Sequence, residues 1–243
     1  RQGEVELIKE AKSRGLSVRV VHEERVATSS TNDLSPAGVE RFLAQVVEMA
    51  ELAEQDPLAV PPEPEVLTSE FPTLDLWDGE VARLDAERAL ELALAGERAA
   101  FAASDKITSS EGASCSRSES HSVLATSGGF VGHSAGTYAS LVVQVIADDE
   151  GGKKRNGYHW TAGRRMSDLL DPAAVGREAT HRAVRTLGST KLETGVYPIV
   201  FEREAAGAIL GLLASCVLGD AVYREQSYLG ARLGTKEIGR AHV

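Results

Sequence analysis

Cysteine is nearly absent from the 243 residues, with only Cys115 and Cys216, far apart and without CxxC spacing. That excludes a disulfide framework and a thiolate zinc site, and leaves each thiol to pack as a small apolar group. Long hydrophobic runs are missing too: nothing approaches the ~18 apolar residues of a membrane span. The chain opens Arg1-Gln2-Gly3-Glu4, without a leader or an initiating methionine, so a cytoplasmic location and a truncated N-terminus are expected. Neither G-x-x-x-x-G-K-[ST] nor G-x-G-x-x-G occurs, which removes the usual cradles for a nucleotide phosphate. His22-Glu23 begins like a zincin motif but does not complete it, because four and five residues after His22 stand Val26 and Ala27.

What is present is a chain that can build a core, 42% hydrophobic and 26% charged. Its net charge of −10 is uneven: residues 1–103 hold 21 acids and 10 bases, and residues 104–243 hold 15 and 16. An acidic first part repels phosphate. The basic run Lys153-Lys154-Arg155 follows three acids and two glycines and reads as a solvated hairpin tip, so direct nucleic-acid binding is not expected.

Residues 5–30 read as short strands, with Leu16, Val18 and Val20 alternating and His22-Glu23-Glu24-Arg25 as a turn. Ser35 and Pro36 then open a helix carrying Val39, Phe42, Leu43, Val46, Val47 and Ala50. Five prolines between Asp56 and Pro72 mark a connector. Asp78 is placed to cap a second helix running to about Ser104. Residues 106–163 alternate β-branched and small residues around Gly128-Gly129 and Gly151-Gly152, an antiparallel sheet. Asp171-Pro172 begins a helix with the stripe Val175, Ala179, Ala183 and Leu187 and a stop at Gly188, and a strand over Val196–Phe201 leads into an apolar helix over Glu204–Leu218. Glu237–Val243 matches a translated sequencing-adapter oligonucleotide and is expected to be non-native, with the natural chain continuing beyond it.

The fold class is α+β, antiparallel sheets with covering helices: two small units plus the truncated start of a β-rich C-terminal domain. Boundaries are expected at 1–58, a linker over 59–78, 79–189, and 190–243.

Gly132-His133-Ser134-Ala135-Gly136 matches the G-x-S-x-G elbow that would make Ser134 a nucleophile, with Asp171 and His181 as partners in chain order. The elbow needs a strand before the serine and a helix after it, whereas here a turn precedes and the β-branched Thr137–Val145 follows. The glycines fit a twisted hairpin better. His121, His133, His159 and His181 are too widely spaced for their meeting to be read, and Tyr158-His159-Trp160 reads as cross-strand packing. From the residues alone no catalytic, cofactor-binding or metal-binding residue is assigned.

Three segments resemble the TldD/PmbA family: Thr31-Asn32-Asp33-Leu34-Ser35 with Ala50–Pro61; Glu111-Gly112-Ala113-Ser114 with Ser127-Gly128-Gly129-Phe130; and Pro198-Ile199-Val200-Phe201 through to Gly219-Asp220-Ala221-Val222-Tyr223-Arg224. The resemblance runs from about Glu4 to Lys236. It implies a zinc metallopeptidase built from two kinds of subunit, which cleaves unfolded peptides in an enclosed chamber. In the catalytic, TldD-like kind the last of these helices carries HExxxH. On that motif this chain has Gly211, Leu212 and Cys216. The resemblance is therefore to the metal-free, PmbA/TldE-like kind, with no cofactor of its own, zinc expected in a TldD-like partner, and an unfolded peptide as substrate. A stand-alone peptide-binding module is the alternative, and a serine hydrolase using Ser134 a lesser one.

Overall fold

The computed structural model describes residues 1–58, 60–61 and 70–235, in two compact units, Arg1–Ser189 and Thr190–Val243. In the first, β1 (Leu16–His22) and β2 (Arg25–Thr31) form an antiparallel hairpin from Leu16 opposite Thr31 to His22 opposite Arg25. Its two-residue turn places both Glu23 (φ 48°) and Glu24 (φ 61°) in the left-handed region, the geometry that matches strand twist. The strands begin only at Leu16. Residues 5–15, expected to join them, form no strand and are exposed, since Lys9, Glu10, Lys12 and Arg14 leave no apolar face to bury.

Helix α1 (Pro36–Leu52) starts where expected: the Ser35 hydroxyl accepts from the Gly38 amide at 3.2 Å. Phe42, Val46 and Ala50, one turn apart, bury against Ala27 with Leu16, Val18 and Val20 alongside, a small core of its own. Of the connector, residues 59 and 62–69 lie outside the described residues, as does the suspected foreign tail.

Asp78 does cap a helix, but only α2 (Gly79–Ala82). The expected continuous helix breaks at Arg83–Asp85, because the Asp85 carboxylate accepts from the Arg88 amide at 2.8 Å and starts α3 (Ala86–Ala103) afresh. An aspartate that can satisfy backbone donors at a new N-terminus competes with helix continuation.

The larger sheet has order β3-β4-β5, with β3 Ile107–Ala125, β4 Val131–Asp148 and β5 Lys154–Gly163. Alternate residues Leu141, Val143, Val145 and Ala147 of β4 bury one face against α3 and α4 (Pro172–Val184), whose Val175, Ala179 and Ala183 complete the core. The two helices meet backbone to backbone: a Cβ on Gly176 would sit 2.1 Å from the Gly96 carbonyl oxygen, and Thr180 donates to the Ala100 carbonyl at 2.8 Å. β5 pairs with β4 only from Ala139–Gly163 to Asp148–Lys154, while β3 and β4 remain paired out to Ala125–Val131. The outer β3–β4 hairpin thus extends past the third strand as a two-stranded arm.

In the second unit, α5 (Arg203–Cys216) is capped by Glu202, whose carboxylate accepts from the Glu204 amide at 2.9 Å, and α6 (Gly219–Tyr223) follows. Val196–Phe201 is not a strand: its residues are exposed, Val196 and Val200 almost completely. β-branched residues favour a strand only when a neighbouring backbone takes their hydrogen bonds, and no strand pairs with them among the described residues. The architecture is α+β with antiparallel sheets.

Candidate functional site

Ser134 lies within β4, with strand continuing to Asp148 where an elbow would need a helix. Its hydroxyl is 2.7 Å from that of Ser122, its cross-strand partner. Asp171 caps α4, accepting from the Ala174 amide at 3.1 Å, and the His181 Nδ1 is 3.7 Å from the Glu178 carboxylate. Among the described residues no hydrogen bond joins these three side chains, so the hydroxyl has no base to take its proton.

Of the α5 residues that the family resemblance sets against the zinc motif, Gly211 carries no side chain and Leu212 a hydrocarbon. Cys216 is half-buried, where a buried thiol was expected, and its Sγ donates to the Leu212 carbonyl at 3.3 Å. These residues do not fit a zinc ion, which needs imidazoles and a carboxylate to activate water. No three His, Cys, Asp or Glu side chains converge as a metal site among the described residues. Cys115 packs against the main core, and burial pushes its thiol above the ordinary value.

Polar side chains tie the loops around the sheet. The Asp78 carboxylate accepts from the Glu80 and Met166 amides at 2.8 Å each, and those bonds hold it below the usual carboxylate range. The Asp78 amide donates to the Thr137 hydroxyl, which donates on to the Arg164 carbonyl, both at 2.8 Å. At the β4–β5 turn Asp149 accepts from the Gly188 amide (3.0 Å), the Arg155 guanidinium (2.7 Å) and the Glu150 amide (2.9 Å), which lower its pKa to about 2. Lys154 pairs with Asp148 at this turn, so the basic run is a partnered hairpin end. Glu97, 2% exposed on α3, accepts from the Gln2 and Gly3 amides at 2.8 Å. Burial raises its pKa, but hydrogen bonds from Ser110, Gly3 and Gln2 outweigh it, leaving the carboxyl below its ordinary value.

On the arm the structure assembles what spacing did not show. The imidazoles of His121 and His133 stack with centroids 6.1 Å apart and planes at 25°, and Trp77 lies against His121 at 5.0 Å. Nearer the tip Phe71 meets Phe130 edge-on at 5.7 Å. A signal was available: the midpoint of His121 and His133 falls at Ser127, in the Ser127-Gly128-Gly129 turn, so a hairpin closing there puts both on facing strands. On β5, His159 is buried on the helix side, whereas Tyr158 and Trp160 are half-exposed on the other face, opposite Gln144 and Val142.

Three domain models of one family match: the PmbA/TldA metallopeptidase domain 1 over residues 1–50, the central domain over 79–187 and the C-terminal domain over 194–242. The chain belongs to the PmbA/TldD family. Similar curated relatives are the metalloprotease PmbA of Escherichia coli O157:H7, 34% identical over 234 residues, which are 96% of this chain and 51% of that one. A PmbA homologue of Haemophilus influenzae is 27% identical over 97% of this chain and 51% of its own. The chain therefore spans about half the length of the PmbA relatives it matches. A crystal structure of a candidate modulator of DNA gyrase from Bacteroides thetaiotaomicron superposes with TM-score 0.84 at 26% identity, covering 94% of this chain and 52% of that one. TldE from Thermococcus kodakarensis, at 16% identity and TM-score 0.75 over 96% and 51%, shares the fold. No described helix is long and apolar enough to cross a membrane.

Proposed function

We propose that this PmbA/TldD-family chain comes from the metal-free subunit of a two-subunit, cytoplasmic zinc metallopeptidase that cleaves unfolded peptides, and that it helps to shape the peptide chamber. The observation that supports this reading is the run of α5 with Gly211, Leu212 and Cys216, which the family resemblance sets against the two histidines and the glutamate of the catalytic kind of subunit. Zinc and the attacking water then belong to a TldD-like partner. The name metalloprotease borne by the Escherichia coli relative is read as describing the assembly. The surplus of acids in residues 1–103 gives no physical reason for direct DNA contact, despite the gyrase-modulator name of the Bacteroides neighbour.

The edge of β3, which no strand pairs with among the described residues, suits an extended peptide, because strand addition satisfies its backbone donors and acceptors without demanding a sequence. That edge also supports the second reading, a peptide-binding module acting without a peptidase.

The test is co-expression of the full-length protein with a TldD-like subunit, followed by assay on an unfolded peptide. The proposal expects cleavage by the pair, abolished by a chelator, and none by this protein alone. Cleavage by the full-length protein alone would overturn it. Peptide binding combined with failure to recover any HExxxH-bearing partner in a pull-down from its own cells favours the stand-alone module. Absence of fluorophosphonate labelling at Ser134 is expected under both.

A further inference from the structure

His121 faces Ala135 across the β3–β4 arm and His133 faces Val123. Because facing residues and their second neighbours share a side of an antiparallel pair, both imidazoles leave the same face of the ribbon as diagonal neighbours. Both side chains are exposed, and their rings lie nearly parallel, 6.1 Å apart. Among the described residues neither imidazole takes part in a hydrogen bond or ion pair, so each neutral ring keeps one nitrogen lone pair available. From Ser120 to Ala147 the sequence contains no Asp, Glu, Lys or Arg. The carboxylate on the arm, Glu119 at its base, pairs with Arg117, and beyond it the arm carries no Lys or Arg side chain to oppose a bound metal ion. Trp77 flanks the pair from the His121 side.

We propose that His121 and His133 form a cross-strand site for a divalent late first-row transition-metal ion of the Cu²⁺, Ni²⁺ or Zn²⁺ class. Imidazole is the nitrogen ligand that these borderline ions prefer. One nitrogen from each ring would bind, with water in the remaining positions. A metal–nitrogen distance of ~2 Å requires the two nitrogens to approach to about 3 Å, which rotation of two exposed side chains can deliver. Two protein ligands make an exchangeable site, not a structural one. Because one ligand comes from each strand, the bound ion ties β3 to β4 and stiffens the arm. The site uses no residue of α5 and is independent of the proposed peptidase role.

The competing explanation is an aromatic ladder, Trp77–His121–His133, that packs and binds nothing. Trp77 provides the means to separate the two, since the chain has only one other tryptophan, Trp160, on β5. Ni²⁺ is the probe, because thiols do not reduce it and it quenches indole emission. The full chain, free of any affinity tag, is titrated at neutral pH while tryptophan emission is followed, with calorimetry in parallel and circular dichroism to confirm folding. Saturable quenching in the micromolar range is expected, with the midpoint raised roughly tenfold or more by His121→Ala or His133→Ala. Trp77→Phe should lose most of the quenching and keep the calorimetric affinity. His133→Phe preserves a stacked ring but removes the ligand, so it too should lose binding. Binding by His133→Phe as tight as that of the parent, unchanged midpoints in both alanine variants, or no saturation below millimolar Ni²⁺ would each overturn the site.

Discussion

The aspartate at position 149 shows how much one side chain can organise. It accepts from the Gly188 amide, the Arg155 guanidinium and the Glu150 amide, joining the end of β4, the start of β5 and the stop of α4. Its pKa is depressed from 3.8 to about 2. A depressed carboxylate contributes stability that is fully present above its unfolded pKa and disappears as pH falls through the folded one. Asp149→Asn should therefore lower the urea midpoint at pH 6, and its deficit against the parent should shrink between about pH 4 and pH 2; a deficit constant over that window would contradict the assignment. At the β1–β2 turn two glutamates occupy left-handed positions that Asn-Gly fills with less strain. The double change Glu23→Asn, Glu24→Gly should raise stability by about 1 kcal/mol, measured by denaturant unfolding at neutral pH.

Among the elements, α3 and α4 are held at a separation that only glycine permits. A Cβ on Gly176 would meet the Gly96 carbonyl at 2.1 Å and the Ala100 amide at 2.9 Å, backbone atoms that cannot swing aside. Gly176→Ala should cost on the order of 1–3 kcal/mol or more through forced helix separation, read as a lower thermal midpoint. Gly207→Ala on α5, where nothing lies within 4 Å, should be neutral or slightly stabilising. Much at this scale was legible in advance. Ser35-Pro36, Asp171-Pro172 and the alternation of β4 each combine a local propensity with a burial pattern, and each produced the element expected. Besides residues 5–15, two further failures have a physical cause. The Asp85 cap interrupts a pattern that contains no proline or glycine at the break. The β-branched Val196–Phe201 run lacks a paired neighbour, and pairing is not a property of the run itself.

Taken as a whole, the molecule is unevenly buried. The residues from Arg1 to Ser189 hold every buried apolar side chain among the described residues, whereas none is buried from Thr190 onward. Leu210, Leu212, Val217 and Leu218 of the second unit are all more than half exposed, and apolar side chains exposed in such number favour binding of apolar ligands. The chain should consequently bind the dye ANS, and ending it after Ser189 should reduce that signal while leaving the main cooperative unfolding midpoint within error of the parent. A large fall in the midpoint would show that the second unit supports the first.

The sequence by itself determined the class of the protein: α+β from its two periodicities and family membership from three spaced segments. These are properties of consecutive residues, and a linear chain states them directly. Tertiary structure alone decided what becomes of Ser134, because a nucleophile elbow and a twisted strand share the same five letters and differ only in the backbone path around them. It also decided that His121 and His133 meet, since their contact depends on strand register, and that Glu97 and Gly176 lie against backbone groups distant in sequence. Spacing along the chain cannot encode those approaches; the packing of the sheet and its two helices creates them.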